Sequence, residues 1–215
     1  MCWRFFLAMN LNDTDFELFA VPATFAQDRA ALDARWKELQ REAHPDRFAA
    51  QGAAAQRVAM QWSVRINEAY QRLKDPVRRA SYLCELHGAA VNAENNTAMP
   101  PDFLMQQMEW REALDEVEDI AALDKLQDEV DAGRARALSS LDWLIDEKGD
   151  YPAAAQQVRA LMFIERFGHA VAHRSHQRMR GAEVDADGDP ALMRIRGLAG
   201  FGNLKKSHRA LLSQL

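Results

Sequence analysis

Apolar residues recur along this chain at helical spacing rather than in strand-like alternation. Leu32, Trp36, Leu39 and Ala43 are separated by four, three and four positions, which puts them on one face of a helix. Asp28 precedes this run as a natural N-cap. Lys37 and Arg41 fall on the opposite face, one turn apart, with Arg35 on the flank. The periodicity breaks at His44-Pro45-Asp46, because proline lacks a backbone donor and pushes the preceding residue out of helical geometry. Arg47 and Phe48 follow, and a second helix is expected from near Ala54, with Val58, Trp62, Ile66, Ala69 and Leu73 as its apolar face and Asp75-Pro76 as its stop. A short helix carrying Phe16 and Phe19 should precede the pair, capped within 12–15 and ended by Val21-Pro22; another, Val77 to Leu86, should follow and close at Gly88. Two long helices joined by a loop of about ten residues can pack as an antiparallel hairpin, with His44 at the tip.

The second half begins with a polar, Asn-rich stretch and Pro100-Pro101, the best domain boundary in the chain. Asp102 is read as the cap of a new helix. Phe103, Trp110, Leu114 and Val117 fall within roughly 60° of one another on its wheel, while Leu104, Met105 and Met108 form a second apolar stripe almost opposite, bordered by Glu109, Glu112 and Glu116. Two long helical stretches follow, at about 121–148 and 152–172, separated by Lys148-Gly149-Asp150-Tyr151-Pro152. Short turns between three helices predict an antiparallel bundle. The expected organisation is therefore all-α: an extension over 1–9, a helical-hairpin domain over 10–90, a linker over 91–101, a helical bundle over 102–172, and a basic, disordered tail over 173–215.

Charge and cysteine content narrow the functional classes. The net charge of −5 makes the whole molecule a poor nucleic-acid binder. The tail holds eight Lys and Arg against four Asp and Glu, so the rest of the chain is more acidic still, and only the tail could bind RNA or an acidic surface. Cys2 and Cys84 are far apart and belong to no Cys-x-x-Cys pair, which fits a reducing cytosol better than a disulfide framework or a zinc site. No apolar run approaches the ~18 residues of a membrane span. Residues 1–8 resemble a signal peptide only superficially, since their apolar core is short and Asp13 and Asp15 follow; they read as a dispensable extension before Met9.

Little in the chain resembles a catalytic centre. A His and an Asp two positions apart could form a base–orienter pair, but a rigid proline separates them and no nucleophile lies nearby in sequence. The alternatives are a solvated turn or a stiffened, positively flanked loop suited to an acidic partner. His169, His173 and His176 share a helical face, but no carboxylate or thiol completes a ligand set, and they are read as a polar helix end. The stripe of Leu104, Met105 and Met108 either widens a core contact or is an exposed partner site, with adaptable Met side chains ringed by carboxylates.

The segment 15–88 resembles a J-domain, the co-chaperone module that stimulates ATP hydrolysis by DnaK-type chaperones. The blocks Arg41-Glu42-Ala43-His44-Pro45-Asp46-Arg47-Phe48, Ile66-Asn67-Glu68-Ala69-Tyr70-Gln71-Arg72-Leu73-Lys74-Asp75-Pro76 and Arg79-Ala80-Ser81-Tyr82-Leu83 are similar to HscB, the J-protein family of iron–sulfur cluster assembly. The resemblance covers about 10–172. It implies that His44, Pro45 and Asp46, with Lys37, Arg41 and Arg47, meet the chaperone HscA. It also implies that Leu104, Met105, Met108, Glu109, Glu112 and Glu116, with Phe163 from the last helix, hold the cluster scaffold IscU. The expectation is a cytoplasmic, bacterial-type co-chaperone, not an enzyme, with no cofactor or bound metal and no nucleic-acid or membrane partner. The alternative is a general J-protein whose bundle binds other clients or dimerises, although the Gly/Phe-rich linker and Cys repeats of such proteins are absent.

Overall fold

The computed structural model describes residues 10, 12–91, 99–117 and 119–188, with side chains to residue 180. Helices account for most of them: α1 (Asp15–Phe19), α2 (Arg29–Glu42), a 3-10 segment (Pro45–Gln51), α3 (Ala53–Lys74), α4 (Pro76–Leu86), α5 (Pro101–Glu116), α6 (Ile120–Asp142, prolonged by a π-helical turn at Trp143–Glu147) and α7 (Tyr151–Gly188). No strand occurs among the described residues.

The starts follow from local chemistry. Thr14 and Glu17 form a reciprocal capping box at α1. Asp28 accepts from the N–H groups of Ala30 and Ala31, and Asp75 from those of Val77 and Arg78. The α2–α3 hairpin is antiparallel: Trp36 Nε1 donates to Asn67 Oδ1 at 2.9 Å and Gln40 Nε2 to the Ser63 carbonyl at 3.0 Å. Leu32, Leu39, Trp62, Ile66, Ala69 and Leu73 are buried as the spacing predicts. Val58 is not; it is 41% exposed, because the first turns of α3 face the 3-10 segment with Ala59 and Trp62 and turn Val58 outward.

Several expected boundaries move. Asp102 does not cap α5: Pro101 already occupies its first position, where a missing N–H costs nothing, and Asp102 sits in the first turn facing the helix dipole. The linker is correspondingly shorter than 91–101, since Val91 is buried and Pro101 helical; 92–98 lie outside the described residues. The tail expected from 173 is helical as far as Gly188, because α7 meets no proline and no glycine between Gly168 and Gly181 while Ala, Arg, Gln and Met carry it on. The extension 1–9 and residues 189–215 lie outside the described residues.

The two halves share one apolar core, running from Phe16, Phe19 and Leu83 to Leu123, Leu141, Leu161 and Val171. Polar contacts lock them together. The Asp146 carboxylate, on the π-helical turn, accepts from the Phe25 and Ala26 N–H groups at 2.6 and 2.8 Å. Buried Arg159 donates to the Val91 carbonyl at 2.8 Å. The His87 ring also stacks on Tyr151 across the junction at 3.7 Å.

Candidate functional site

The His44-Pro45-Asp46 turn stands at the end of the α2–α3 hairpin. α2 closes when Ala43 donates its N–H to the Leu39 carbonyl. His44 then adopts an extended conformation and becomes the N-cap of the 3-10 segment, with Pro45 at its first position. His44 Nδ1 accepts from the Asp46 N–H at 3.3 Å, so the proton of the neutral ring sits on Nε2. The Asp46 carboxylate is 3.6 Å from the same nitrogen and 88% exposed, and the His44 side chain is 58% exposed. This is a cap that stiffens a turn. In a base–orienter pair Nδ1–H would instead donate to the carboxylate. Phe48 anchors the turn from below with 1% exposure, and the Arg47 guanidinium donates to the Arg41 carbonyl at 3.3 Å. Lys37, Arg41, His44, Asp46 and Arg47 are all exposed and Pro45 partly so. Arg35 is engaged by Glu38 at 2.6 Å and does not join them. The spacing flagged the turn; Phe48, the residue that fixes it, looked like one more aromatic.

α5 carries the second surface. Its inner face is aromatic: Trp110 is buried against the Phe167 ring at 5.5 Å, and Phe103 meets Phe163 edge-on at 5.8 Å. Gly133 on α6 makes room for the indole, since a Cβ there would lie 3.0 Å from its edge. Because this face already has its partners, the opposite stripe is left to solvent: Leu104, Met105 and Met108 are 44, 62 and 70% exposed. Glu109, Glu112 and Glu116 are exposed beside it. Phe163 differs from the other members of the expected set. It is half-buried, stacked on Phe167 at 6.1 Å and covered by the Arg111 guanidinium at 5.5 Å, so only part of its ring reaches the surface. Arg111 was not foreseen: a lone arginine on an exposed helix has no spacing that marks it.

The remaining candidates separate from these surfaces. His169, His173 and His176 are exposed along α7, and no cluster of three or more potential metal ligands occurs among the described residues. Cys84 is fully buried beneath Tyr151, and burial pushes its thiol up to about 11. No helix among the described residues is long and apolar enough to cross a membrane.

Comparison with known proteins places the chain in a family. Residues 99–172 match the family model described as the HSCB C-terminal oligomerisation domain. A co-chaperone protein HscB homolog from Burkholderia thailandensis is 52% identical over 161 residues, spanning 74% of this chain and 91% of the relative. Its counterpart in Burkholderia multivorans is 53% identical over 167 residues, 76% of this chain and 94% of the relative. Among solved structures, chaperone HscB from Vibrio cholerae superposes with a TM-score of 0.66 at 36% identity over 77% of this chain and 99% of its own. Human co-chaperone HscB gives a TM-score of 0.73 at 25% identity over 77% of this chain and 84% of its own. With an N-terminal J-domain followed by a helical bundle, the chain belongs to the HscB co-chaperone family.

Proposed function

We propose that this co-chaperone stimulates the ATPase of a DnaK-type chaperone of the HscA kind and delivers to it an iron–sulfur scaffold protein of the IscU kind, in the cytoplasm. The J-domain meets the chaperone through His44, Pro45 and Asp46, with Lys37, Arg41 and Arg47 supplying positive charge. By binding one conformation of the ATPase better than another, it shifts that enzyme towards hydrolysis. The stripe of Leu104, Met105 and Met108, with Glu109, Glu112 and Glu116 around it and the rim of Phe163, holds the scaffold. Tethering scaffold and chaperone to one molecule raises the effective concentration of each at the other.

The observation that carries the reading is the double-faced character of α5: its inner side is filled by Trp110 and Phe103, yet three large apolar side chains remain exposed opposite. A helix in a small bundle needs only one buried face, and an apolar patch ringed by carboxylates is the pattern of a partner site. Two measurements test the proposal. His44→Gln should abolish stimulation of HscA-type ATPase turnover while the protein stays folded with its helicity retained; retained stimulation refutes the J-domain role. Replacing Leu104, Met105 and Met108 together with Ala should lower scaffold affinity at least tenfold, as loss of central apolar anchors does, with helicity unaltered.

A further inference from the structure

Arg57, Met60, Gln61, Val64, Arg65 and Glu68 are spaced by three, one, three, one and three positions along α3, which puts them on one side of it. Together they line an open groove of about 400 Å³. Its floor is apolar: Met60 and Val64 are 58 and 52% exposed. The opposite side of α3 is already filled, with Trp62, Ile66, Ala69 and Leu73 buried. Two exposed apolar residues alone are ordinary; what lies beside them gives the occupant.

Asn10 and Asp13 close a tight turn, in which the Asp13 N–H donates to the Asn10 carbonyl at 3.0 Å. The Arg65 guanidinium, at one end of the groove, donates to the Asp13 carbonyl at 3.0 Å and pairs with the buried Asp15. The ends of such a turn lie within about 7 Å of each other, so the chain enters the fold beside Arg65. The nine residues before Asn10 include Trp3, Phe5, Phe6 and Leu7, and Arg4 is their one charged side chain. A segment of that composition gains by leaving water. It is also long enough: Arg57 lies eight residues from Arg65 along α3, about 12 Å, whereas nine extended residues reach about 30 Å. We propose that residues 1–9 dock along this groove, laying their aromatic side chains on Met60 and Val64 between the guanidinium groups of Arg57 and Arg65. Arginines at both ends suit aromatic rings, whose faces attract cations. Residues 1–9 are then a strap on the J-domain rather than a dispensable extension.

The test is disulfide trapping in the full chain. Cys2 puts a thiol in the segment, and Cys84, the other thiol, is buried. Met60→Cys and Val64→Cys each place a second thiol on the groove floor, and Asp128→Cys places one at an exposed site on α6. Oxidised glutathione takes the electron pair and leaves as two reduced molecules, and the internal bond to Cys2 is followed by mass spectrometry. Both groove variants should close that bond about tenfold faster than the α6 variant. Adding Phe5→Ser and Phe6→Ser should slow closure about tenfold, because the segment loses its apolar anchors. If the groove thiols close no faster than the one on α6, the docking is overturned. If the serine variants close at the parent rate, reach alone brings the thiols together and the docking is overturned as well. A cross-linked dimer in place of the internal bond means that the groove takes the segment of a second copy, which overturns the strap.

Discussion

Single residues decide how rigidly each surface is presented. His44 caps the turn from above and Phe48 pins it from below, so the two should fail differently. His44→Gln removes an exposed side chain and its single capping bond, whereas Phe48→Ala empties a site with 1% exposure and should cost about 3–5 kcal/mol. Urea denaturation followed by circular dichroism checks the second value. Residual ATPase stimulation by the folded fraction should also fall, because the turn loses its support; full stimulation per folded molecule would mean that the cap alone holds the turn. Cys84 offers a separate check on the core. Burial raises its folded-state pKa from an ordinary value of 9.0 to about 11, so the folded state keeps the thiol proton that the unfolded chain releases. The resulting stabilisation is present below pH 9 and is lost as pH climbs through 11. Stability should accordingly decline over that window, and Cys84→Ala should flatten the decline. Ellman's reagent at pH 8 should leave Cys84 unmodified until the protein is denatured.

At the scale of elements, the helices were readable because each carries its own punctuation: Asp28 and Asp75 as caps, Pro45 and Pro76 as breaks, and four-three-four spacing between them. The exposed stripe on α5 was readable for the same reason, since two apolar faces on one wheel exceed what a small bundle can bury. The less legible features depend on partners distant in sequence. Val58 fits the apolar period of α3 but meets solvent, and Phe163 sits under Arg111, a residue from another helix. The end of α7 is not legible in the sequence, because fading periodicity resembles disorder, whereas a helix that meets no proline after its first turn can outrun its apolar face. The seat of α5 on α6 gives a testable case. Gly133→Ala would gain about 1 kcal/mol of helix propensity, but its Cβ would meet Trp110 at 3.0 Å. That indole is backed by Phe167 and cannot retreat, and overpacking costs about 1–3 kcal/mol. The variant should be less stable than the parent in urea, with altered tryptophan fluorescence. A stabilised Gly133→Ala protein would show that α5 moves freely on its bed.

At the scale of the whole molecule, the question is whether the J-domain and the bundle act as beads on a string or as one body. Their junction has no sequence signature, since its partners lie 67 to 121 residues apart and involve single polar groups. Its geometry is nevertheless specific. One carboxylate, Asp146, receives two backbone donors from the loop before α2, and Arg79 from α4 adds a favourable charge nearby. A shared apolar core would resist separation by itself, but it is non-directional; the two short bonds to Asp146 fix orientation. Under the function proposed above, orientation matters, because a fixed angle concentrates one partner at the other more effectively than a floppy link of equal length. Asp146→Ala should therefore do two things. It should lower stability by about 2–3 kcal/mol, the scale of a lost pair of hydrogen bonds to a charged group, and it should speed hydrogen exchange at Phe25 and Ala26 more than at the α3 amides. With both partners present it should also blunt the extra ATPase stimulation that scaffold brings, while stimulation by the J-domain without scaffold stays at the parent level. Unchanged exchange at those two amides would mean that the apolar core alone sets the angle between the domains.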